Sequence, residues 1–227
     1  NIPRAVGLAG SSAIIVATLR ALMEFYGVEI PQRVQPSLAL AVETDELGIT
    51  AGLQDRVIQV YGGMVAMDFG REKVECCEGF ECGDYLRLDP AGLPRLYVAY
   101  SSDAGQPTEV FHNRLRERYE QGEPEVLEAM GRFAELTAEG VEALAAGDSG
   151  RLHELLDANY DLRASICQLP KEHVSMIEAA RSAGASAKFA GSGGAIIGSC
   201  LDDAMYQRLT RALAGLGCEV FTPRVTG

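Results

Sequence analysis

Three patterns along this sequence predict an α+β protein. A helix-like spacing of apolar residues follows a glycine- and serine-rich start. In the last third the order is helix, strand, glycine-rich turn, strand, helix, strand, which suits antiparallel strands with helices packed against them. The 47% hydrophobic content is ample for a buried core.

Residues 11–26 read as a helix, because Ile14, Ile15, Leu19, Leu22, Met23 and Tyr26 recur at three- and four-residue spacing and Gly27 ends the run. A second helix is expected over 37–47, after the breaks at Pro31 and Pro36, and a third over 53–61. Gly62 and Gly63 then turn the chain into a strand over 64–69. Residues 71–94 become acidic and carry glycines and cysteines, which reads as an excursion between two domains. An apolar strand at 96–100 follows. A long helical region over 107–168 is broken at Gly122-Glu123-Pro124 and at Gly147-Asp148-Ser149-Gly150. The remainder reads helix (172–183), strand, glycine turn and strand (187–200), helix (204–216) and strand (219–223). The expected division is therefore 1–70, a connecting excursion at 71–95, and 96–227.

A chain of 227 residues can form one large or two small domains. No run approaches the roughly 20 apolar residues of a membrane span, and no basic stretch, apolar run and cleavage site open the chain, so a soluble, cytoplasmic protein with no membrane partner is expected. The net charge of -12 argues against nucleic acid, which is bound by Lys/Arg surfaces. A small anion can still be held by local backbone N–H groups. Among six cysteines, Cys76, Cys77 and Cys82 cluster, yet no Cys-x-x-Cys pair or nearby His suggests zinc, and reduced thiols are expected. The chain opens Asn1-Ile2-Pro3 and enters a glycine/serine-rich loop within ten residues, so an upstream segment, cleaved or held on another chain, is expected.

Three segments carry chemistry. The first runs Pro3-Arg4-Ala5-Val6-Gly7-Leu8-Ala9-Gly10-Ser11-Ser12-Ala13, small residues leading straight into a helix. Unpaired N–H groups at a helix start attract anions, and a loop without bulky side chains lets phosphate oxygens approach them. It lacks the Gly-Lys-Ser/Thr ending of a Walker loop and the glycine spacing of a dinucleotide fingerprint; taken alone it is equally a tight turn with a serine cap. The second holds Glu43 and Asp55. Asp55 opens a helix after an apolar, glycine-containing stretch, a place where a carboxylate is partly desolvated and suits a base, although an aspartate there is also a common cap. The third, Lys188-Phe189-Ala190-Gly191-Ser192-Gly193-Gly194-Ala195, sets three glycines between apolar runs, permitting close approach of backbone to ligand or simply a hairpin turn.

In this order, the three segments resemble the second and third signature motifs of the GHMP kinases, with the catalytic carboxylate between them. Gly52-Leu53-Gln54-Asp55-Arg56-Val57, Gln59-Val60-Tyr61-Gly62-Gly63 and the Lys188 segment are most similar to the glucuronokinase branch of that family, and the likeness covers nearly the whole chain. It implies a two-domain GHMP fold whose amino-terminal strands are missing or supplied by another chain. Gly7, Leu8, Ala9, Gly10, Ser11 and Ser12 would wrap the ATP phosphates, supported by Gly191, Ser192, Gly193 and Gly194. Ser11, with Ser12 as the alternative, and Glu43 would hold Mg²⁺. Glu43 lies twelve residues before Asp55, with Asp45 and Glu46 close by. Asp55 would act on the proton of the attacking sugar hydroxyl.

The implied activity is ATP-dependent phosphorylation of a sugar acid, D-glucuronate, at its anomeric hydroxyl. Another sugar kinase of the family, for galactose, arabinose or galacturonate, and a non-catalytic sensor are the alternatives. A uronate carboxylate calls for a cation, and Arg4 and Arg56 lie nearest the expected chemistry, with Asp103 in a segment that resembles part of a sugar pocket.

Overall fold

The structure, a computed structural model, describes residues 8–49, 51–101, 109–191 and 193–225, and for 109–114 the backbone alone. Contacts divide the chain into two compact units, built on Ala9–Pro90 and on Ala91–Arg224.

In the first unit α1 (Gly10–Tyr26) closes where Gly27 takes a left-handed φ of 61° and the N–H groups of Gly27 and Val28 return to the Glu24 and Met23 carbonyls. α2 (Gln35–Ala41) begins two residues earlier than expected, because Pro36 falls in its first turn, where a missing N–H costs nothing. Val42–Glu46 then continues as a π-helical turn, with the Leu47 N–H reaching back five residues to the Val42 carbonyl at 3.2 Å. α3 (Leu53–Tyr61) matches its expected bounds. Gly62 and Gly63, both at positive φ, turn the chain into β1 (Met64–Asp68).

Residues 71–90 are built rather than irregular. β2 (Glu75–Cys77) and β3 (Phe80–Cys82) form a hairpin through Glu78 and Gly79, both at positive φ, and β4 (Asp84–Leu88) pairs antiparallel with β1. Val16, Ala39 and Val60, one from each helix, are the buried centre of this unit.

The second unit carries β5 (Arg95–Ser101), α4 (Glu109–Glu120), the helical hairpin of α5 (Pro124–Ala146) and α6 (Ser149–Ile166), then α7 (Lys171–Ser182), β6 (Lys188–Phe189), β7 (Ala195–Cys200), α8 (Asp203–Ala214) and β8 (Cys218–Phe221). Asp148 and Asp202 cap α6 and α8, accepting from the Arg151 and Met205 N–H groups. The four strands form one antiparallel sheet in the order β6-β7-β5-β8, against which α6, α7 and α8 pack. Tyr97, Ala99, Phe189 and Ile196 of the sheet meet Met176, Ile177, Leu209 and Leu213 of α7 and α8 in the main core. The sheet and its α+β arrangement are those expected from the order of patterns.

Candidate active site

The first unit assembles its chemistry around α3. Glu43, completely buried, projects from the π-helical turn. One extra residue in a helical turn re-aims the side chains around it, and such turns are frequent at functional sites. Oε2 of Glu43 accepts from Nε and Nη2 of Arg56, whereas Oε1 is buried and has no partner among the described residues. A buried carboxylate oxygen left unmatched costs free energy unless a cation or donor reaches it. The neighbouring acids differ: Asp45 and Glu46 are exposed, and Asp45 accepts from the Thr44 hydroxyl at 2.7 Å.

Arg56 is 4% exposed. Besides Glu43, it donates from Nη1 to the Gly52 carbonyl at 2.9 Å and to Asp55 Oδ2 at 3.4 Å. That leaves no pair of N–H groups for a second carboxylate, so Arg56 holds Glu43 and Asp55 instead of facing the carboxylate of a sugar. Asp55 occupies the first turn of α3, where a negative charge is favoured by the helix dipole. Burial pushes its carboxyl above the ordinary range, the adjacent Arg56 opposes this, and the Glu43 charge adds to the rise. A half-exposed carboxylate with raised proton affinity, tied through one guanidinium to a second acid, is suited to accept a proton.

At the head of α1, Ala9 adopts a left-handed φ of 54°, a conformation that side-chain-bearing residues rarely take outside constrained sites. The buried Ser12 hydroxyl donates to the Ala9 carbonyl at 2.9 Å, and Ser11 is exposed. Among the described residues, no side chain caps the helix start and no acid lies in its first turn. No described side chain therefore counters its positive end. Leu8 and Gly10 flank this turn, and Gly7 and Arg4 lie outside the described residues.

In the second unit, the β6–β7 connection is the glycine loop. The Ala190 N–H bonds the Ala195 carbonyl at 3.0 Å, and Gly193 and Gly194 take φ values of 144° and 80°, open to glycine but not to other residues. Arg163 of α6 donates to the Gly191 carbonyl at 2.7 Å, and its guanidinium lies 5.1 Å from the centre of the Phe189 ring. Lys188 donates to the Phe189 carbonyl at 3.1 Å. The motif reading gave neither cation a role. Lys188 stood inside the glycine motif without a distinguishing signal, and Arg163 reaches Gly191 from 28 residues upstream. Ser192 and Asp103 lie outside the described residues. Among the described residues, no group of three or more His, Cys, Asp or Glu side chains is placed to hold a metal.

Residues 1–63 match the family model for the GHMP kinases N terminal domain. Over 206 residues the chain is 41% identical to Glucuronokinase 1 of Arabidopsis thaliana, and over 207 residues 44% identical to Probable glucuronokinase 2 of the same plant. Each match takes in 88% of this chain and 55% of the relative, so the chain spans about half the length of the curated relatives it matches. Among solved structures, mevalonate kinase of L. major in complex with R-mevalonate superposes with a TM-score of 0.71 at 21% identity, over 96% of this chain and 67% of that one. Galactokinase of Lactococcus lactis complexed with galactose gives 0.73 at 18% identity, over 99% and 67%.

Proposed function

The chain belongs to the GHMP kinase family, and from that premise we propose that it transfers the terminal phosphoryl group of ATP to the anomeric hydroxyl of a sugar acid, D-glucuronate. The likeness to two relatives named glucuronokinases supports the substrate. The observation that carries the chemistry is the Glu43 carboxylate, fully buried with one oxygen bound by Arg56 and the other without a partner among the described residues, together with Asp55, whose carboxyl burial raises.

Phosphoryl transfer depends mainly on in-line positioning and on neutralising charge over the phosphate oxygens. Gly10 and the uncapped start of α1 offer backbone N–H groups to those oxygens, with Leu8, Ala9 and Ser12 shaping the turn. Glu43 Oε1 and the Ser11 hydroxyl would hold Mg²⁺, which supplies the charge neutralisation. Ser11 is preferred to Ser12 because it is exposed, whereas Ser12 is buried with its hydroxyl turned to the Ala9 carbonyl. Asp55 accepts or orients the proton of the attacking hydroxyl, and Arg56 holds Asp55 and Glu43 in register. The glycine loop Gly191 to Gly194 is assigned to the support of the nucleotide phosphates.

No described helix is long and apolar enough to cross a membrane. The net charge of -12 disfavours nucleic acid, and the proposed partners are ATP and a small sugar acid, with a cytoplasmic setting as part of the proposal. The test is ADP release by the native protein carrying this chain, with Mg-ATP and a panel of D-glucuronate, D-galacturonate, galactose, arabinose and mevalonate. Release dependent on glucuronate and lost in Asp55→Asn is expected. Release with a neutral sugar alone would replace the substrate, and ATP binding without turnover on any of them would make the protein a sensor.

A further inference from the structure

The hairpin of β2 and β3 sets two cysteines on one face. In its register Cys77 stands opposite Phe80 and Glu75 opposite Cys82, so these four side chains share a face, while Cys76 and Glu81 point to the other. Cys77 lies next to the Glu78-Gly79 turn on one strand, and Cys82 two positions further from the turn on the other. The strong right-handed twist of a two-stranded ribbon draws that diagonal together.

The two thiols are free and differ in setting. Cys77 is partly exposed, whereas Cys82 is completely buried. Cys82 Sγ lies 3.9 Å from the Ser37 hydroxyl of α2, and that hydroxyl donates to the Glu81 carbonyl at 2.6 Å. Burial raises the Cys82 thiol, Ser37 opposes the rise, and the neighbouring Cys77 thiol adds to it. Arg33 reaches the same face, donating from Nη1 to Glu75 Oε2 at 2.6 Å and from Nε to the Gly83 carbonyl at 3.0 Å. Its charge favours the thiolate form of Cys82.

We propose that Cys77 and Cys82 form a dithiol modification site, which a small-molecule disulfide such as glutathione disulfide closes into a Cys77–Cys82 bond. The site rests on nothing in the kinase reading. Cys77 reacts first, because it is the member of the pair that meets solvent. Its thiolate attacks one sulfur of glutathione disulfide and breaks that S–S bond, giving a Cys77–glutathione mixed disulfide and a glutathione thiolate. Cys82 then loses its proton to water and attacks the Cys77 sulfur, forming the protein disulfide and releasing a second glutathione thiolate. Two protein thiols are oxidised, and one small disulfide is reduced to two thiols. Cys82 stays buried throughout, since the sulfur it attacks is already its neighbour.

Diagonal Cα atoms in a ladder lie roughly 7–8 Å apart and a disulfide spans at most about 7 Å, so closure draws the strands slightly together. The hairpin can yield, because Glu75, Cys76, Glu78, Gly79 and Glu81 are all exposed. A bond formed against such resistance is readily reduced again, as a reversible modification requires. Closure also draws the Cys82 sulfur away from Ser37, where β3 meets α2.

The test incubates the native protein carrying this chain with glutathione disulfide, blocks free thiols with iodoacetamide and maps the peptides by mass spectrometry. Trypsin leaves Cys76, Cys77 and Cys82 together on residues 74–87, and cleavage after Glu78 parts Cys77 from Cys82. In wild type this peptide is expected to carry one blocked cysteine, Cys76, and its halves to stay joined after cleavage at Glu78 until dithiothreitol releases them. Cys76→Ser keeps the bridge. Cys77→Ser and Cys82→Ala lose it, and Cys82→Ala retains glutathione on Cys77. Cys77→Ser changes a partly exposed position, so it stands as the control should the buried Cys82→Ala fail to fold. A wild-type mixed disulfide at Cys77 that does not close overturns the proposal. So does a bridge that persists in Cys77→Ser, bridging seen only in denaturant, or three cysteines that all remain open to iodoacetamide.

Discussion

Asp55, Arg56 and Glu43 show how three charged groups are balanced in one small volume. The folded protein raises the proton affinity of Asp55, chiefly by burial, so the ionised carboxylate is held at a cost to stability above its folded pKa. Asp55→Asn should therefore lower kcat by about 10²- to 10⁴-fold while leaving the melting temperature at pH 7 equal or higher. The stability gain should vanish as pH falls through the unfolded carboxylate range near 4, where the wild-type group is protonated in both states. Steady-state kinetics with a thermal melt at several pH values checks both halves, and a melting temperature lowered at pH 7 would contradict the assigned burial. Arg56 is the opposite case. Arg56→Met strands a buried Glu43 charge and should cost about 3–5 kcal/mol, whereas adding Glu43→Gln should return most of that loss. Denaturant melts of the two single variants and the double variant measure it, and additive losses would rule out the pairing. The motif strings pointed to Glu43 and Asp55, because residue type and position are visible in a sequence. The ion pair was not visible, since Arg56 meets Glu43 only after a π turn and a loop bring together residues 13 apart.

Elements were legible where punctuation was strong. α3 lies between Gly52 and Gly62, and α5 and α6 divide at Gly147, where a left-handed φ of 67° requires glycine or a close substitute. The π turn was hidden because it uses the residue types of an ordinary helix and differs only in hydrogen-bond reach. β2, β3 and β4 were hidden for a different reason: β2 and β4 leave exposed positions on both faces, and β3 is only three residues long, so no period of two marks them. Gly198 in β7 gives a test at this scale. A Cβ built there would lie 1.7 Å from the Ser186 carbonyl oxygen, the same oxygen that accepts from the Tyr97 hydroxyl at 2.8 Å. Gly198→Ala must push β7 away from the Ser186 backbone and should destabilise by about 1–3 kcal/mol or more. Chemical denaturation reads this directly, and a neutral result would mean that the strand is free to shift.

At the scale of the whole chain, the two units should differ in stability, because apolar burial contributes roughly 25 cal/mol per Å² and is distributed unequally. Ala91–Arg224 has a continuous core running from Tyr97 and Phe189 to Leu209 and Leu213, with a second cluster at Leu136, Ala143 and Leu155. Ala9–Pro90 has Val16, Ala39 and Val60, and its α1 leaves Ile14 63% and Phe25 79% exposed. The smaller core should open first, so amide exchange in α1, α2 and α3 should outpace that in β5, β7, α7 and α8. The two-state approximation should then fail for this chain, with a melt in two steps. A nucleotide that binds only the native state would add protection that grows with its concentration. If the start of α1 is the phosphate site, Mg-ADP should slow exchange first over residues 10–16, before any change in α7 or α8. Hydrogen exchange read by mass spectrometry separates the alternatives: equal rates in both units without ligand would refute the stability ranking, and protection confined to the second unit on adding Mg-ADP would move the nucleotide away from α1.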